Sequence, residues 1–155
     1  MTSWTDGPPG DAAPAASDDG PVNPERRAAI VQTVLDLPLH RSLGLRLAVD
    51  GDPAADVEMA VSEATTNPSA VLHGGLVPLL LDVTCFLRLL DSLPDGSHAV
   101  TVSSTASVIA AARDGEVVRC TARVDRLGRT HAFLSGELRV GDKVVATGQV
   151  VKAVV

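Results

Sequence analysis

The sequence has almost no aromatic side chains: its 155 residues include one Trp, two Phe and no Tyr. Proteins that bind single-stranded nucleic acids stack bases on rows of aromatic rings, and this composition cannot provide such rows. The formal net charge is −6 and the basic residues are scattered, whereas a nucleic-acid-binding face needs clustered Lys and Arg. We therefore expect no nucleic acid partner, and a core built from Val, Leu, Ile and Ala.

Cysteine is equally scarce. Cys85 and Cys120 lie in apolar stretches, and they show neither a CxxC motif nor the Cys/His spacing of a zinc site. We therefore expect no disulfide framework and no metal, and we interpret both residues as reduced thiols in the core of a cytoplasmic protein.

The sequence also lacks a targeting or membrane segment. It starts MTSWTDGPPG, with no basic region followed by an apolar one, so no signal peptide is expected. The most apolar stretch, residues 76–90, is too short for a bilayer and contains Asp82 and Arg88. We expect it to form a buried helix, and we expect no association with a membrane.

The chain divides into a tail and one domain. Residues 1–22 are rich in Pro, Ala, Asp and Gly and contain no basic residue, which predicts a disordered acidic tail. Residues 23–155 are long enough for one domain with a core. The pair Asn23-Pro24 is typical of a helix start, and the predicted helix runs to about Leu35.

Strand patterns surround the apolar helix. Residues 43–49 and 55–61 alternate as strands, with a turn at 51–53 between them. Four further strands are predicted at 98–110, 116–126, 130–140 and 143–154. Asp114-Gly115 and Gly141-Asp142 are two-residue turns of the kind that connect adjacent antiparallel strands. The fold class is therefore α+β, with one buried helix beside an antiparallel sheet.

The segment His73-Gly74-Gly75 precedes the apolar helix, at a position where Ser, Thr, Asp or Asn would cap a helix better. Glycine lets a ligand atom approach the backbone closely, and the first N–H groups of a helix are unpaired and lie at the positive end of its dipole. Such donors, aimed at a carbonyl oxygen, would stabilise the oxyanion formed when that carbonyl is attacked.

Asp82 stands on the same helix between Leu79, Leu80, Leu81 and Val83. Burial of an unpaired carboxylate is costly, so a carboxylate in such surroundings has either a catalytic use or a structural partner. Arg88 is the candidate for a purely structural ion pair. We interpret Asp82 as the catalytic carboxylate.

The spacing of these two features predicts an oligomer. Gly74 and Asp82 are eight residues apart, which is about 12 Å along a helix, whereas a base or nucleophile must lie roughly 3 Å from its reaction partner. If both groups act on one substrate carbon, they must come from two copies related by a two-fold axis.

The HGG(x)6D pattern of residues 73–82 resembles the PaaI-type acyl-CoA thioesterases of the hotdog superfamily. The resemblance extends to Asn67, to Thr101 at the start of the next strand, and to the element order from about residue 25 to 155. It implies a hotdog fold, in which a curved antiparallel sheet wraps a long central helix. Pro78 and the bulky residues 83–88 depart from the family pattern.

The resemblance also implies roles for the site residues. Asp82 would be the general base or nucleophile, and the Gly74 N–H, with Gly75 beside it, would polarise the thioester carbonyl. Asn67 and His73 would orient substrate or water, and Thr101 would position the attacking water. The family functions as a homodimer or a dimer of dimers, and it needs no metal or cofactor, since coenzyme A is part of the acyl-CoA substrate.

A second stretch is similar to the part of hotdog thioesterases that meets the coenzyme A nucleotide. It contains Arg126, Gly128, Arg129 and Thr130, and the planar guanidinium suits phosphate. A solvated hairpin edge explains the same residues. Arg113, beside the turn at 114–115, is a weaker candidate, and His40, His98 and His131 are interpreted as structural.

Two alternatives differ in chemistry from a thioesterase. A hotdog dehydratase or hydratase resembles a His-plus-acid design, and the HGG motif with Asp at this spacing argues against it. A non-catalytic acyl-CoA-binding regulator should carry a DNA-binding helix-turn-helix, for which residues 1–35 are too acidic and too rich in Pro.

Overall fold

The computed structural model describes residues 22–48 and 55–155. The predicted tail, residues 1–22, lies outside the described residues except for its last residue. That residue, Val22, is buried, and its N–H donates to the carbonyl of Leu93 at 3.2 Å. Val22, the last residue of the predicted tail, therefore packs against the core.

Helix α1 (Pro24–Leu35) begins and ends where the sequence predicts. The side chain of Asn23 accepts two backbone N–H groups of the first turn, and Pro24 occupies the first helical position. Arg27 pairs with Asp91 at 2.6 Å. This ion pair holds α1 against the segment that follows the long helix.

The predicted strand at 43–49 is wrong at its start, because a short helix, α2 (Pro38–Ser42), and its cap extend to residue 43. Gly44 then adopts a φ of +66°, the left-handed conformation that commonly ends a helix. Within the described part of this range, residues 43–48, only β1 (Arg46–Leu47) is a strand. The predicted turn at 51–53 lies outside the described residues.

The long helix, α3 (Leu76–Leu89), forms the centre of the core. Pro78 does not interrupt it, since the N–H groups of a first turn have no partner inside the helix. Cys85 on α3 and Cys120 on the sheet are buried and free, as predicted. In the described ranges every helix is too short or too polar to span a membrane.

Six strands form one antiparallel sheet against α3, which confirms the predicted α+β architecture. Their order across the sheet is β1-β2-β4-β5-β6-β3. The remaining strands are β2 (Val57–Ala60), β3 (Ala99–Val108), β4 (Val117–Leu127), β5 (His131–Val140) and β6 (Lys143–Val154).

One predicted connection is wrong. The turn at Gly141-Asp142 joins the neighbours β5 and β6, but the turn at Asp114-Gly115 does not join neighbours. Strand β3 pairs with β6, whereas β4 pairs with β2 and β5. The N–H of Gly115 donates to the carbonyl of Val61, which follows β2. Turn chemistry is local and does not specify which strand the chain will pair with next.

A row of small residues lets α3 lie close to the sheet. Ala122, Gly136, Gly148 and Ala106 are opposite one another on four successive strands. Leu81 of α3 packs on this row, and a Cβ at Gly148 would lie 2.4 Å from one of its methyl groups. Side chains larger than these would push the helix away from the sheet.

Candidate active site

Three polar side chains meet beside the middle of α3. The hydroxyl of Thr101 donates to Asp82 Oδ1 at 2.6 Å. The ammonium of Lys152 donates to the same oxygen at 2.7 Å and to Thr101 Oγ1 at 2.7 Å. We call Asp82, Thr101 and Lys152 the acidic triad. The structure thus brings together two predicted site residues and adds Lys152, which was not predicted.

The register of the sheet explains this meeting. Thr101 near the start of β3 is directly opposite Lys152 on β6, and opposite residues project from the same face of a sheet. Helix α3 packs on that face and presents Asp82 to the pair. Lys152 lies two residues after the buried Val150 on β6, and side chains two residues apart on a strand point to the same face. This two-residue period is the signal that would have placed Lys152 on the inner face.

The buried member of the acidic triad is Lys152 and not Asp82. The Lys152 side chain is 3% exposed, whereas that of Asp82 is 37% exposed. The apolar neighbours of Asp82 in the sequence suggested a buried carboxylate. The structure differs because Asp82 projects from the side of α3 that borders a cleft.

The structural ion pair considered for Asp82 is also absent. Arg88 lies 3.5 Å from Asp56 and donates to the carbonyl of Ala122 at 3.0 Å. Six residues along a helix correspond to a rotation of about 600°, which places Arg88 about 120° away from Asp82 around the axis. Arg88 therefore faces a different neighbour.

The cleft beside the acidic triad has a volume of about 450 Å³. The triad forms its polar end, and no described residue donates to Asp82 Oδ2. The ring of Phe86 lies 5.6 Å from the Lys152 ammonium and 5.8 Å from the ring of His98. The apolar walls consist of Val34, Leu37, Leu79, Val83, Phe86 and Ala99. Such a cleft suits an apolar group attached to a polar, reactive one.

The histidines interpreted as structural lie around these elements. His40 is buried at the edge of the cleft, with Nδ1 2.6 Å from the carbonyl oxygen of Val34. His131 Nδ1 is 3.1 Å from the hydroxyl of Thr130. Neither contact includes a carboxylate that would orient a base.

The predicted turn His73-Gly74-Gly75 lies directly before α3. The Gly75 N–H donates to His73 Nδ1 at 3.0 Å, and the Leu76 N–H donates to the His73 carbonyl at 2.9 Å. The Gly74 N–H has no partner among the described residues, and a Cβ there would meet no atom within 4 Å. Gly74 therefore carries the accessible amide at the positive end of the helix.

His73 shapes this turn through its ring. Since Nδ1 accepts the Gly75 N–H, a neutral His73 carries its ring proton on Nε2. The ring also lies 3.1 Å from the position of a Cβ on Gly75. The predicted role of His73 in orienting substrate or water stays a prediction.

Asn67 builds the loop before this turn. Its Oδ1 accepts the Ser69 N–H at 2.9 Å, and its carbonyl accepts the Ala70 N–H at 2.9 Å. Asn67 and Gly74 together line a second cleft of about 150 Å³. The side-chain amide of Asn67 donates to no described residue. Asn67 is thus a turn residue, and it also leaves a donor at the cleft that Gly74 lines.

The two halves of the predicted site are separate within one chain. The cleft of Asp82 and the cleft of Gly74 have no lining residue in common. The structure joins Asp82 to Thr101 by a hydrogen bond and places Gly74 and Asn67 at one cleft, but it does not bring these two pairs together. This separation agrees with the distance of about 12 Å expected from helical rise.

The β4–β5 hairpin carries the residues predicted to meet a nucleotide. Arg126, Arg129 and Thr130 are exposed, and neither arginine forms an ion pair with a described residue. The N–H of Gly128 donates to the carbonyl of His131 at 2.8 Å and closes the hairpin. Two guanidinium groups are therefore available to an anion.

The hairpin lies at the same end of the sheet as the acidic triad. Thr101, Lys152, Ala132 and Leu127 are opposite one another on β3, β6, β5 and β4. Three strand spacings correspond to about 14 Å. An extended ligand could therefore contact both the hairpin and the cleft.

Comparison with known proteins adds independent findings. The sequence profile described as Thioesterase superfamily matches residues 70–147. The chain is similar to acyl-coenzyme A thioesterase 13 of Homo sapiens, with 34% identity over 113 residues, which cover 71% of this chain and 80% of that protein.

Solved structures show the same fold. Thioesterase superfamily member 2 of zebra fish has a TM-score of 0.68 and 30% identity, covering 81% of this chain and 93% of that one. A phenylacetic acid degradation-related protein of Ralstonia eutropha has a TM-score of 0.69 and 24% identity, covering 82% and 98%. These similarities confirm the predicted hotdog fold, and they leave the roles of individual residues as predictions.

Proposed function

The chain belongs to the thioesterase superfamily, as its resemblance to PaaI-type enzymes predicted, and from this premise we propose that this thioester hydrolase acts on acyl-coenzyme A. The products are a carboxylic acid and free coenzyme A. One observation carries the proposal. Asp82 has one oxygen held by Thr101 and Lys152, and its other oxygen, beside an apolar cleft, accepts no hydrogen bond from a described residue.

Thioester hydrolysis needs an attacking oxygen and a donor for the carbonyl oxygen. We assign the donor to the Gly74 N–H, a role that is typically worth about 3–4 kcal/mol of transition-state stabilisation. Asp82 either takes the proton of an attacking water or attacks the carbonyl carbon itself. In both routes the carbon–sulfur bond breaks, the sulfur leaves as the coenzyme A thiol, and no metal or cofactor takes part.

A second copy of the chain supplies the missing half of each site in this proposal. Strand β3 is an edge of the sheet, and its Val100 and Val102 are 46% and 56% exposed. An exposed edge strand presents unpaired N–H and C=O groups to another strand. Strand β3 is therefore the surface on which we place the dimer contact.

The positions of residues along β3 support this contact. Thr101, beside Asp82, is near the start of the strand, and Val108, which lines the cleft of Gly74, is at its end. Two β3 strands that pair antiparallel about Ser104 place Thr101 of one copy opposite Ser107 of the other, one residue from Val108. Asp82 then approaches Gly74 of the second copy, which closes the gap of about 12 Å.

A homodimer or a dimer of dimers satisfies the proposal, whereas a monomer in sedimentation analysis at assay concentration contradicts it.

The substrate would lie along the end of the sheet that carries both the acidic triad and the β4–β5 hairpin. We place its acyl group in the apolar cleft beside Asp82 and its nucleotide at Arg126 and Arg129. The free cysteines support a reducing compartment, so a cytoplasmic location is part of the proposal.

A panel of short-chain, long-chain and aromatic acyl-CoA thioesters tests the proposal, with free thiol release as the readout. Asp82→Asn keeps the size of the side chain and removes its charge, so we expect kcat to fall about 1,000-fold. Asp91→Asn, a matched change just beyond α3, should retain turnover. Tight binding without turnover in the unmodified protein would instead identify a non-catalytic acyl-CoA-binding protein. Oxygen-18 incorporation in a single turnover separates base from nucleophile.

A further inference from the structure

We infer that Lys152 is a positioning residue that fixes which oxygen of Asp82 reacts. The inference rests on the proposed function. It adds a residue that lies outside the HGG(x)6D motif and 70 positions after Asp82 in the chain.

Lys152 is held from three sides. Its Nζ donates to Asp82 Oδ1 and to Thr101 Oγ1, each at 2.7 Å, and it lies 5.6 Å from the centre of the Phe86 ring. An ammonium has three N–H donors, and the face of an aromatic ring attracts a cation. With 3% of its side chain exposed, Lys152 cannot turn to solvent without opening the core.

Lys152 and Asp82 also form an ion pair. A buried ammonium is costly unless a counter-charge pairs with it, and Asp82 is its one carboxylate partner within 4.0 Å among the described residues. Because Lys152 is buried and Asp82 is half-exposed, Lys152 is the fixed member of the pair. It keeps Oδ1 turned towards the sheet and prevents free rotation of the carboxylate.

Thr101 completes the assignment. Its only hydroxyl hydrogen is donated to Asp82 Oδ1, and one of its lone pairs accepts from Lys152. Towards a water, Thr101 can therefore only accept a hydrogen bond. Since Oδ1 already accepts two hydrogen bonds, Oδ2 is the oxygen available for the reaction.

Both reaction routes pass through Oδ2. If Asp82 is a base, Oδ2 takes a proton from water, the water oxygen adds to the carbonyl carbon, and the proton passes to the departing sulfur. If Asp82 is a nucleophile, Oδ2 bonds to the carbonyl carbon, the sulfur leaves and takes a proton from solvent, and water then cleaves the anhydride. In neither route does Oδ1 form a bond to substrate.

Lys152→Met tests the positioning role, because it removes the cation and keeps an unbranched side chain. Removal of one partner of a buried ion pair is destabilising when the other charge stays buried, but the carboxylate left behind here is 37% exposed and can be solvated. We expect kcat to fall about 100-fold, as for a misplaced catalytic group. KM, and the Kd of a non-hydrolysable acyl-CoA thioether, should change less than about threefold, because the lost contact is to Asp82 and Thr101.

Lys143→Met is the matched control. Lys143 lies on the same strand, its side chain is 47% exposed, and its Nζ donates to the carbonyl of Ala111 at 3.0 Å. This variant should keep the kcat and KM of the unmodified protein.

Chemical rescue separates positioning from folding. Lys152→Ala leaves space at a position that lines the cleft, and added ethylammonium should raise its kcat at least about fivefold. Ethanol, which is neutral and of similar size, should not, and neither amine nor alcohol should restore Asp82→Asn. A side chain needed only for folding would not respond to a cation added after folding.

The outcomes are distinct. A kcat within about twofold of the unmodified protein in both Lys152→Met and Lys152→Gln overturns the inference, as does a loss confined to KM. If Lys152→Met does not fold, Lys152→Gln and the amine response of Lys152→Ala decide. When the unmodified protein turns over and Asp82→Asn does not, a negative result with Lys152 refutes the positioning role alone. Absence of turnover in the unmodified protein refutes the proposed function and this inference with it.

Discussion

Two regions along α3 carry the halves of the candidate site, and they are built in different ways. In the acidic triad, the Asp82 carboxylate accepts two short hydrogen bonds from partners in its own chain. Just before the start of the helix, the Gly74 amide has no partner among the described residues, and Gly74 is exposed. One chain therefore orients its carboxylate completely, whereas its backbone donor depends on a ligand and, in our proposal, on a second copy.

Removal of the Gly74 amide is expected to have the largest effect in this comparison. Gly74→Pro eliminates the N–H, and loss of one oxyanion donor typically lowers kcat about 100- to 1,000-fold. Gly74→Ala keeps the N–H, and its Cβ would meet no atom of its own chain within 4 Å, so it should lose less activity than Gly74→Pro. Steady-state kinetics measure both variants, with circular dichroism as the folding control. Equal losses in the two variants would contradict the assignment of the amide.

A mixture of two variants tests whether Asp82 and Gly74 of one active site come from different copies of the chain. Asp82→Asn and Gly74→Pro should each be inactive alone, while a refolded mixture contains mixed dimers in which one of the two sites is intact. Random pairing predicts roughly a quarter of the unmodified activity. Activity that does not rise above that of the separate variants would place both halves in one chain.

Substitution of Thr101 tests the hydrogen bonds within the acidic triad and should have a smaller effect. Thr101→Val removes the donor to Asp82 Oδ1 and the acceptor for Lys152. One such hydrogen bond is worth about 1.4 kcal/mol, so we expect kcat to fall about tenfold. Thr101→Ser keeps the hydroxyl and should restore most of the rate. A Thr101→Val enzyme at full rate would show that Lys152 alone orients the carboxylate.

Substitution of the arginines on the β4–β5 hairpin tests substrate binding away from the acidic triad and from Gly74. Arg126→Gln combined with Arg129→Gln should raise KM for acyl-CoA about fivefold at low salt and leave kcat unchanged, since exposed charges interact weakly and are screened by ions. An acyl thioester of N-acetylcysteamine lacks the nucleotide phosphates, so its KM should not respond. An equal effect on both substrates would point to distortion of the hairpin.

The smallest effect is expected at Cys85, one helical turn from Asp82. Burial raises the pKa of the Cys85 thiol to about 12, although the cation of Lys152 acts in the opposite direction. The thiol is therefore protonated at pH 8, and the reactive thiolate is scarce. Iodoacetamide should leave the native protein unlabelled and fully active, with labelling of Cys85 and Cys120 only after denaturation. Rapid labelling of the native protein would show that the region around Asp82 and Cys85 is more open than the structure indicates.

The features that could be predicted from the sequence are local ones. The turn at residues 73–75 and Asp82 lie within ten residues, so helical rise alone gave their separation and the argument for two copies. The capping pair at Asn23 likewise predicted the start of α1 correctly. Helix geometry and capping depend on neighbours in the chain, which is why such patterns can be interpreted without a structure.

Contacts between distant segments could not be predicted in the same way. Lys152 joins Asp82 only because β6 lies beside β3, and the sequence suggested that β3 would neighbour β4. The sequence therefore suggested Arg88, on the same helix, as the partner of Asp82. The choice of strand neighbours depends on how the whole sheet wraps α3, and no single turn contains that information.

The sequence alone determined the α+β class, the apolar central helix, the glycine turn before it and the carboxylate on it, because helical and strand periods and motif spacing are properties of a continuous stretch of chain. Three features emerge only from the folded arrangement: Lys152 pairs with Asp82, the Gly74 amide has no partner among the described residues while the Gly75 N–H donates to His73, and β3 is an edge strand. The reason is that each of these depends on register and burial, which arise when segments far apart in the chain pack against one another.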